Sequence, residues 1–357
     1  MTARVALALL LLLALPAAAP ASSVSVTLAD GCQGDTACSK YGGLPPVPIT
    51  TFAGAPGEAN RVSVRREGGD FVVRDDGAVL TARSPCAAVD AHKARCPVTE
   101  GAYGLHGFAA GLGDGDDALA IPGDLRVETS ISGGDGKDVV EAGAEPDAVD
   151  GGPGGDRLLG GGGIDELSYA TRTAPVVADL AEETGGEAGE ADGVGGFEVL
   201  VGGSGDDVLR GASGDETLDG GRGDDVLRGR GGADALFGGT GADRLSGGGG
   251  ADRLFGDPAQ GDDVYTPIIR LRADRLAGGG GDDELYDTGG ANTYLGGPGR
   301  DLLEGGSGRD TMHAGPGRDR IGAQGGRRDA VRCGSGLDRA RLDRRDTARR
   351  CERVTRR

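Results

Sequence analysis

Carboxylates recur at a fixed spacing along this chain. Asp207, Glu216, Asp225, Asp234, Asp243 and Asp252 stand nine residues apart. Each closes a glycine-rich run in six consecutive blocks: GGSGDDVLR, GASGDETLD, GGRGDDVLR, GRGGADALF, GGTGADRLS and GGGGADRLF, from Gly202 to Phe255. Carboxylate oxygens and unconstrained backbone carbonyls are hard donors of the kind a calcium ion takes. Without a cation between them, acids held at close spacing repel one another.

The elements that must position these acids follow from the rest of the block. Glycine fills the first, second and fourth places with few exceptions. Such a run carries a high entropy cost and readily takes φ > 0, so it reads as a turn whose carbonyls are free to point at a ligand. The last three residues alternate variable, apolar, variable, with leucine at the eighth place (Leu209, Leu218, Leu227, Leu236, Leu245, Leu254). That is a short strand with one side chain facing inward. Two blocks make one coil with a strand on each side. Acids eighteen residues apart then stack on one edge, about 4.8 Å from each other.

These blocks resemble the GGxGxDxUx nonapeptide of the RTX, or haemolysin-type calcium-binding, repeat family. The resemblance implies an all-β fold: a parallel β-roll solenoid of nonapeptide repeats, with calcium (Ca2+) held between successive turns by turn carbonyls and by aspartates of blocks n and n+2. Carried onto this chain, the central pairs are Asp207 with Asp225, Asp225 with Asp243, and Asp234 with Asp252. An earlier run gives Asp138 with Asp156 and Asp147 with Asp165; a later one gives Asp283 with Asp301 and Asp301 with Asp319. Asp310 faces Asn292, which offers an oxygen but no charge, and Asp263 restores an acid after a slip in register. Glu216, one methylene too long, and Asn292 are where binding is expected to be weak.

The chain of 357 residues carries 73 glycines, no tryptophan and a net charge of −19. An acidic balance of this size argues against nucleic acid as the main partner. The charge is uneven: from Gly296 onward 16 arginines face 9 acids, a surplus of +7. Residues 1–21 have the form of a secretory signal peptide, with Arg4, an apolar run from Val5 to Leu15 too short to span a bilayer, and Ala19-Pro20-Ala21 before Ser22. A secreted, extracellular product follows, with no transmembrane span. Known RTX toxins and proteases usually lack such a leader, so neither their export route nor their activity is carried over. Six cysteines fit an oxidising compartment, and proximity suggests Cys32–Cys38, Cys86–Cys96 and Cys333–Cys351.

The expected organisation is a small disulfide-bearing β module at 22–110, a first roll segment at 111–168, an insertion at 169–201, the main roll at 202–332, and an arginine-rich, disulfide-pinned cap at 333–357. Within the module, Arg61–Arg65 and Phe71–Val73 flank Gly68-Gly69 as a hairpin. Within the insertion, Tyr169–Arg172 and Val176–Leu180 read as strands, and Glu182–Gly195 as a surface loop.

The motifs of catalysis are missing. HExxH is absent, and His92, His106 and His313 are scattered. Ser204, Ser213 and Ser307 lack the closing glycine of GxSxG. No Walker motif surrounds Lys40, Lys93 or Lys137. The expectation is a non-catalytic calcium-binding protein whose folding is coupled to extracellular calcium. The alternatives are an adhesion or envelope protein with a cell-surface or polyanionic partner and, third, an enzyme with an unfamiliar site.

Overall fold

A computed structural model describes residues 22–29, 47–98, 107–256, 273–325 and 327–357. The expected leader at 1–21, the expected Cys32–Cys38 pair and Asp263 lie outside these residues. The chain is all-β and its repeats form a parallel β-solenoid of the β-roll type. No helix among the described residues is long and apolar enough to cross a membrane. The chain divides into two units: one runs to Ser168 and takes back Gly189–Phe197, the other comprises Tyr169–Ala188 and Glu198–Arg357.

In the first unit the module and the roll share sheets. Val47–Ala53 pairs antiparallel with Ser22–Ala29 but parallel with Gly107–Asp114. Arg61–Glu67 forms the expected hairpin with Asp70–Asp75, and its first residues pair in parallel with Ala118–Ala120. Coils then stack in register: Ala118–Ala120, Val139–Glu141 and Arg157–Leu159 on one side, Gly107–Asp114, Thr129–Asp135, Asp147–Asp150 and Glu166–Ser168 on the other. The Cys86–Cys96 disulfide is closed.

The second unit is almost entirely roll. On one side Leu209, Leu227, Leu245, Leu276, Tyr294, Met312 and Val331 face their counterparts in parallel strands. On the other, Leu200, Leu218, Leu236, Leu254, Leu285, Leu303, Ile321 and Ala340 do the same. All are buried. Burying one leucine is worth about 1.5–3 kcal/mol, and a three-residue strand has little else to hold it. The turns stack as tightly as the strands. At Gly223 (φ +124°) an added Cβ would overlap the carbonyl of Gly205 in the coil before, so the close approach and the positive φ both require glycine.

The insertion is largely roll. Val177–Asp179 is a strand, as expected, and pairs in parallel with Val208–Arg210. Tyr169–Arg172 is instead a turn, closed by the Arg172 N–H on the Tyr169 carbonyl at 2.9 Å. The stretch expected as a loop ends in a strand: Asp192–Gly195 pairs with Arg157–Leu159 in the first unit and buries Val194. The slip after Phe255 does not interrupt the strand ladders on either side of it. Leu245 pairs directly with Leu276 and Leu254 with Leu285, so the segment between Gly256 and Ala273 leaves the ladder undisturbed. Coils also continue past Cys333. Ala330–Gly336, Arg339–Leu342, Thr347–Arg349 and Arg353–Arg356 extend both sides in register, and Cys333–Cys351 joins them.

Candidate metal centre

The sixth-place acids form continuous hydrogen-bonded ladders. The backbone N–H of each donates to Oδ1 of the acid one coil further on. In the second unit one ladder runs Asp207 to Asp225 (2.7 Å), Asp225 to Asp243 (2.8 Å), Asp243 to Asp274 (2.8 Å), Asp274 to Asn292 (2.8 Å), and Asn292 to Asp310 (2.9 Å). The other runs Glu216 to Asp234 (3.0 Å), then Asp252 (2.9 Å), Asp283 (3.0 Å), Asp301 (3.1 Å) and Asp319 (3.0 Å). In the first unit Asp138 donates to Asp156 at 2.8 Å and Asp147 to Asp165 at 2.9 Å. Every eighteen-residue pair anticipated from the sequence is brought together.

The structure adds rungs that the spacing did not reveal. Asp117 precedes Asp138, and Asp192 follows Asp156 from thirty-six residues away. Asp274 fills the rung after Asp243, thirty-one residues on. Asp329, Asp338, Asp346 and Glu352 carry the ladders into the arginine-rich end. A second, outer ladder runs through the fifth place, where Asp206 accepts from Asp224 N–H (2.8 Å) and Asp282 from Arg300 N–H (2.8 Å), both exposed to water.

The inner acids are buried, and most of their second oxygens are left wanting; Oδ2 of Asp147 and of Asp207 instead accepts the N–H of Gly143 (2.8 Å) and of Gly203 (2.7 Å). Oδ2 of Asp138, Asp225, Asp234, Asp252, Asp283, Asp301, Asp310 and Asp319 has no hydrogen-bond donor. All but Asp319, whose block opens on Ala314, lie under the first glycine of their own block; a Cβ on Gly220 or Gly229 would overlap Oδ2 of Asp225 or Asp234. Burial disfavours the charged form. It pushes Asp138, Asp225, Asp234 and Asp301 up to about 7, with neighbouring carboxylates adding to the effect. Asp283, Asp310 and Asp319 rise to about 6 for the same reasons.

Glu216 and Asn292 depart in different ways. Glu216 folds its longer side chain back so that Oε1 takes the Gly214 N–H at 2.9 Å, and Oε2 stays buried without a donor. Asn292 keeps the ladder hydrogen bond through Oδ1, while its Nδ2 donates to the Gly289 carbonyl at 2.7 Å.

A desolvated anionic oxygen with no donor is an arrangement that a cation stabilises. The donors are all hard oxygens, so calcium suits them and softer metals do not. No three acid, histidine or cysteine side chains converge on one point among the described residues. A cation here would take at most two carboxylates and complete its shell from turn carbonyls and water.

A family model for the RTX calcium-binding nonapeptide repeat (4 copies) matches residues 132–167, 192–227, 228–264, 271–303 and 286–321. The repeat stretch of this chain therefore belongs to the RTX calcium-binding repeats. No curated protein matches the chain.

Proposed function

We propose that this is a secreted, non-catalytic calcium-binding protein whose β-roll folds when it meets extracellular calcium. The observation that carries the reading is the row of buried sixth-place oxygens without donors, repeated coil after coil in a family of calcium-binding repeats. The carboxylates of Asp138, Asp147, Asp156, Asp165, Asp207, Asp225, Asp234, Asp243, Asp252, Asp283, Asp301, Asp310 and Asp319 would hold the ions, joined by Asp117, Asp192 and Asp274. Asp263 remains an expectation from the sequence alone. An ion that binds the roll and not the loose chain stabilises the roll by mass action. Circular dichroism in chelator and in millimolar calcium tests this. Strand signal that appears with calcium is expected; an unchanged spectrum with no calcium bound would refute it.

A second reading, attachment to an anionic surface, is favoured by one observation. Arg320, Arg339 and Arg353 align in register on parallel strands, exposed and about one strand spacing apart. Retention on beads bearing an anionic polysaccharide, lost when Arg339 and Arg353 become serine, would support it.

A further inference from the structure

One sheet of the second unit carries arginine and no acid on its outer face, in a chain with 57 acids against 38 lysines and arginines. Eight parallel strands in register build this face, from Val208–Arg210 to Thr347–Arg349. In the first seven the central residue, Leu209 through Val331, is buried, so its two neighbours face outward, and the eighth continues the register. The sixteen outward places, two on each of eight strands, hold six arginines, His313 and no acid. The arginines face one another. Arg210 stands directly opposite Arg228, Arg244 opposite Arg275, and Arg332 opposite Arg349, each pair one strand spacing of about 4.8 Å apart. Like charges opposed across strands repel. Arg228, Arg244, Arg275, Arg332 and Arg349 are exposed, and among the described residues none of the five makes a salt bridge. The acid in register just before the face, Asp179, is already held by Arg230 through two hydrogen bonds of 2.7 Å. The opposite sheet is built differently. Its outward places mix Asp219, Glu284 and Glu304 with arginines, and Glu284 pairs with Arg253 at 3.4 Å.

Anions seated between the opposed arginines relieve their repulsion, and a guanidinium gives two parallel N–H bonds to such an oxyanion. The surroundings narrow the ligand. The basic places stay within the width of a three-residue strand, while exposed acids stand on the turns at both sides, Asp206 before Val208 and Asp215 after Arg210. A plane of anionic lipid would meet those acids. A nucleic-acid duplex would meet them too, and no outward aromatic on this face gives a base a stacking partner. A thin chain lying along the roll meets only the arginines, with the hydroxyl residues Ser246, Thr293 and Thr311 at outward places between them. We propose that this face binds a linear anionic polysaccharide, carboxylated or sulfated, lengthwise across the coils from Arg210 to Arg349. The site is separate from the row of Arg320, Arg339 and Arg353, which lies on the opposite sheet, and it draws on the calcium reading only in needing the folded roll.

The test uses the full chain in calcium, with fluorescently labelled hexasaccharides of heparin and of hyaluronan, neutral dextran as the control, and anisotropy as the readout. Binding to a charged sugar and not to dextran is expected, and it should weaken as salt rises. Changing Arg228→Thr, Arg244→Thr and Arg275→Thr together gives these places the residue that later coils carry at Thr293 and Thr311. This variant should melt as wild type does and bind about tenfold more weakly. Arg244→Lys with Arg275→Lys keeps the charge and removes the paired N–H bonds; it should lose a smaller part of the affinity, and it decides the matter if the threonine variant folds poorly. Wild-type affinity in the folded variants, or a loss confined to Arg339→Ser with Arg353→Ser, would overturn this face. A chain that folds with calcium yet binds neither charged sugar would overturn it and leave the proposed function standing. Equal affinity for a DNA duplex or for phosphatidylglycerol vesicles would overturn the assignment to a linear glycan.

Discussion

A sixth-place aspartate has two separable duties. Its Oδ1 accepts a backbone N–H from the preceding coil, and its charge awaits a cation. Asn292 performs the first without the second, holding the Asp274 N–H at 2.8 Å as an aspartate would. Asp225→Asn is therefore expected to keep the ladder and to lose the ion: the calcium concentration needed for folding should rise, while the chain in chelator at pH 8 should melt no lower than wild type. Asp225→Ala removes the oxygen as well and leaves the buried Asp207 N–H unsatisfied, a cost of about 1–3 kcal/mol. Its melting temperature with calcium should fall below that of the asparagine variant. The pH dependence has a definite sign. Folded-state values of about 6 to 7 lie above the ordinary carboxylate value, so folding favours the protonated acids. Their contribution to the calcium-free roll is fully present below about pH 4 and is lost as pH rises through 6 to 7. Circular dichroism in chelator should show more strand signal at pH 5 than at pH 8, and calcium added at pH 6.5 should release protons. Strand signal in chelator that rises with pH would contradict the burial of these acids.

At the scale of the strand, the leucine of each block carries the packing. Leu227 is fully buried between Leu209 and Leu245. Leu227→Ala should cost about 2–5 kcal/mol, seen as a lower melting temperature in calcium, whereas Arg228→Ala on the exposed neighbour should change it little. The same leucine explains what could be read from the sequence. Where it kept its phase, the strand, its partner and its acid were all legible, as from Gly202 to Phe255. The Asp192–Gly195 strand was hidden because its inward residue is Val194 in an acidic, glycine-rich stretch that resembles a loop. Asp274 was hidden because the slip stretches the spacing to its partner Asp243 to thirty-one residues. Near the end the rungs come at spacings of 19, 17 and 14, and the strands fill with arginine, so the period fades although the coils persist.

For the whole molecule, a chain at −19 with buried acids carries a self-repulsion that bound cations would relieve. The first unit joins an antiparallel, disulfide-closed module to its coils by parallel pairing, and the second closes its last coils with Cys333–Cys351. In a solenoid each coil is steadied mainly by its neighbours. Breaking Cys333–Cys351, by changing both cysteines to serine, is therefore expected to loosen the terminal coils first. Hydrogen exchange in calcium should show lost protection around Ala330–Arg356 before any change at Leu209 or Leu227.

The acid ladder also has a direction. In the inner ladder each amide is satisfied by a carboxylate that lies later in the chain, from Asp207 on Asp225 through to Asp338 on Glu352, whereas the outer ladder points back, Asp224 and Arg300 donating to Asp206 and Asp282. A coil is thus finished by its successor. Shortening the roll by one coil from its C-terminal side would therefore strip the inner amides of the new last coil of their carboxylates, while the same cut at the other side would leave every remaining inner amide paired.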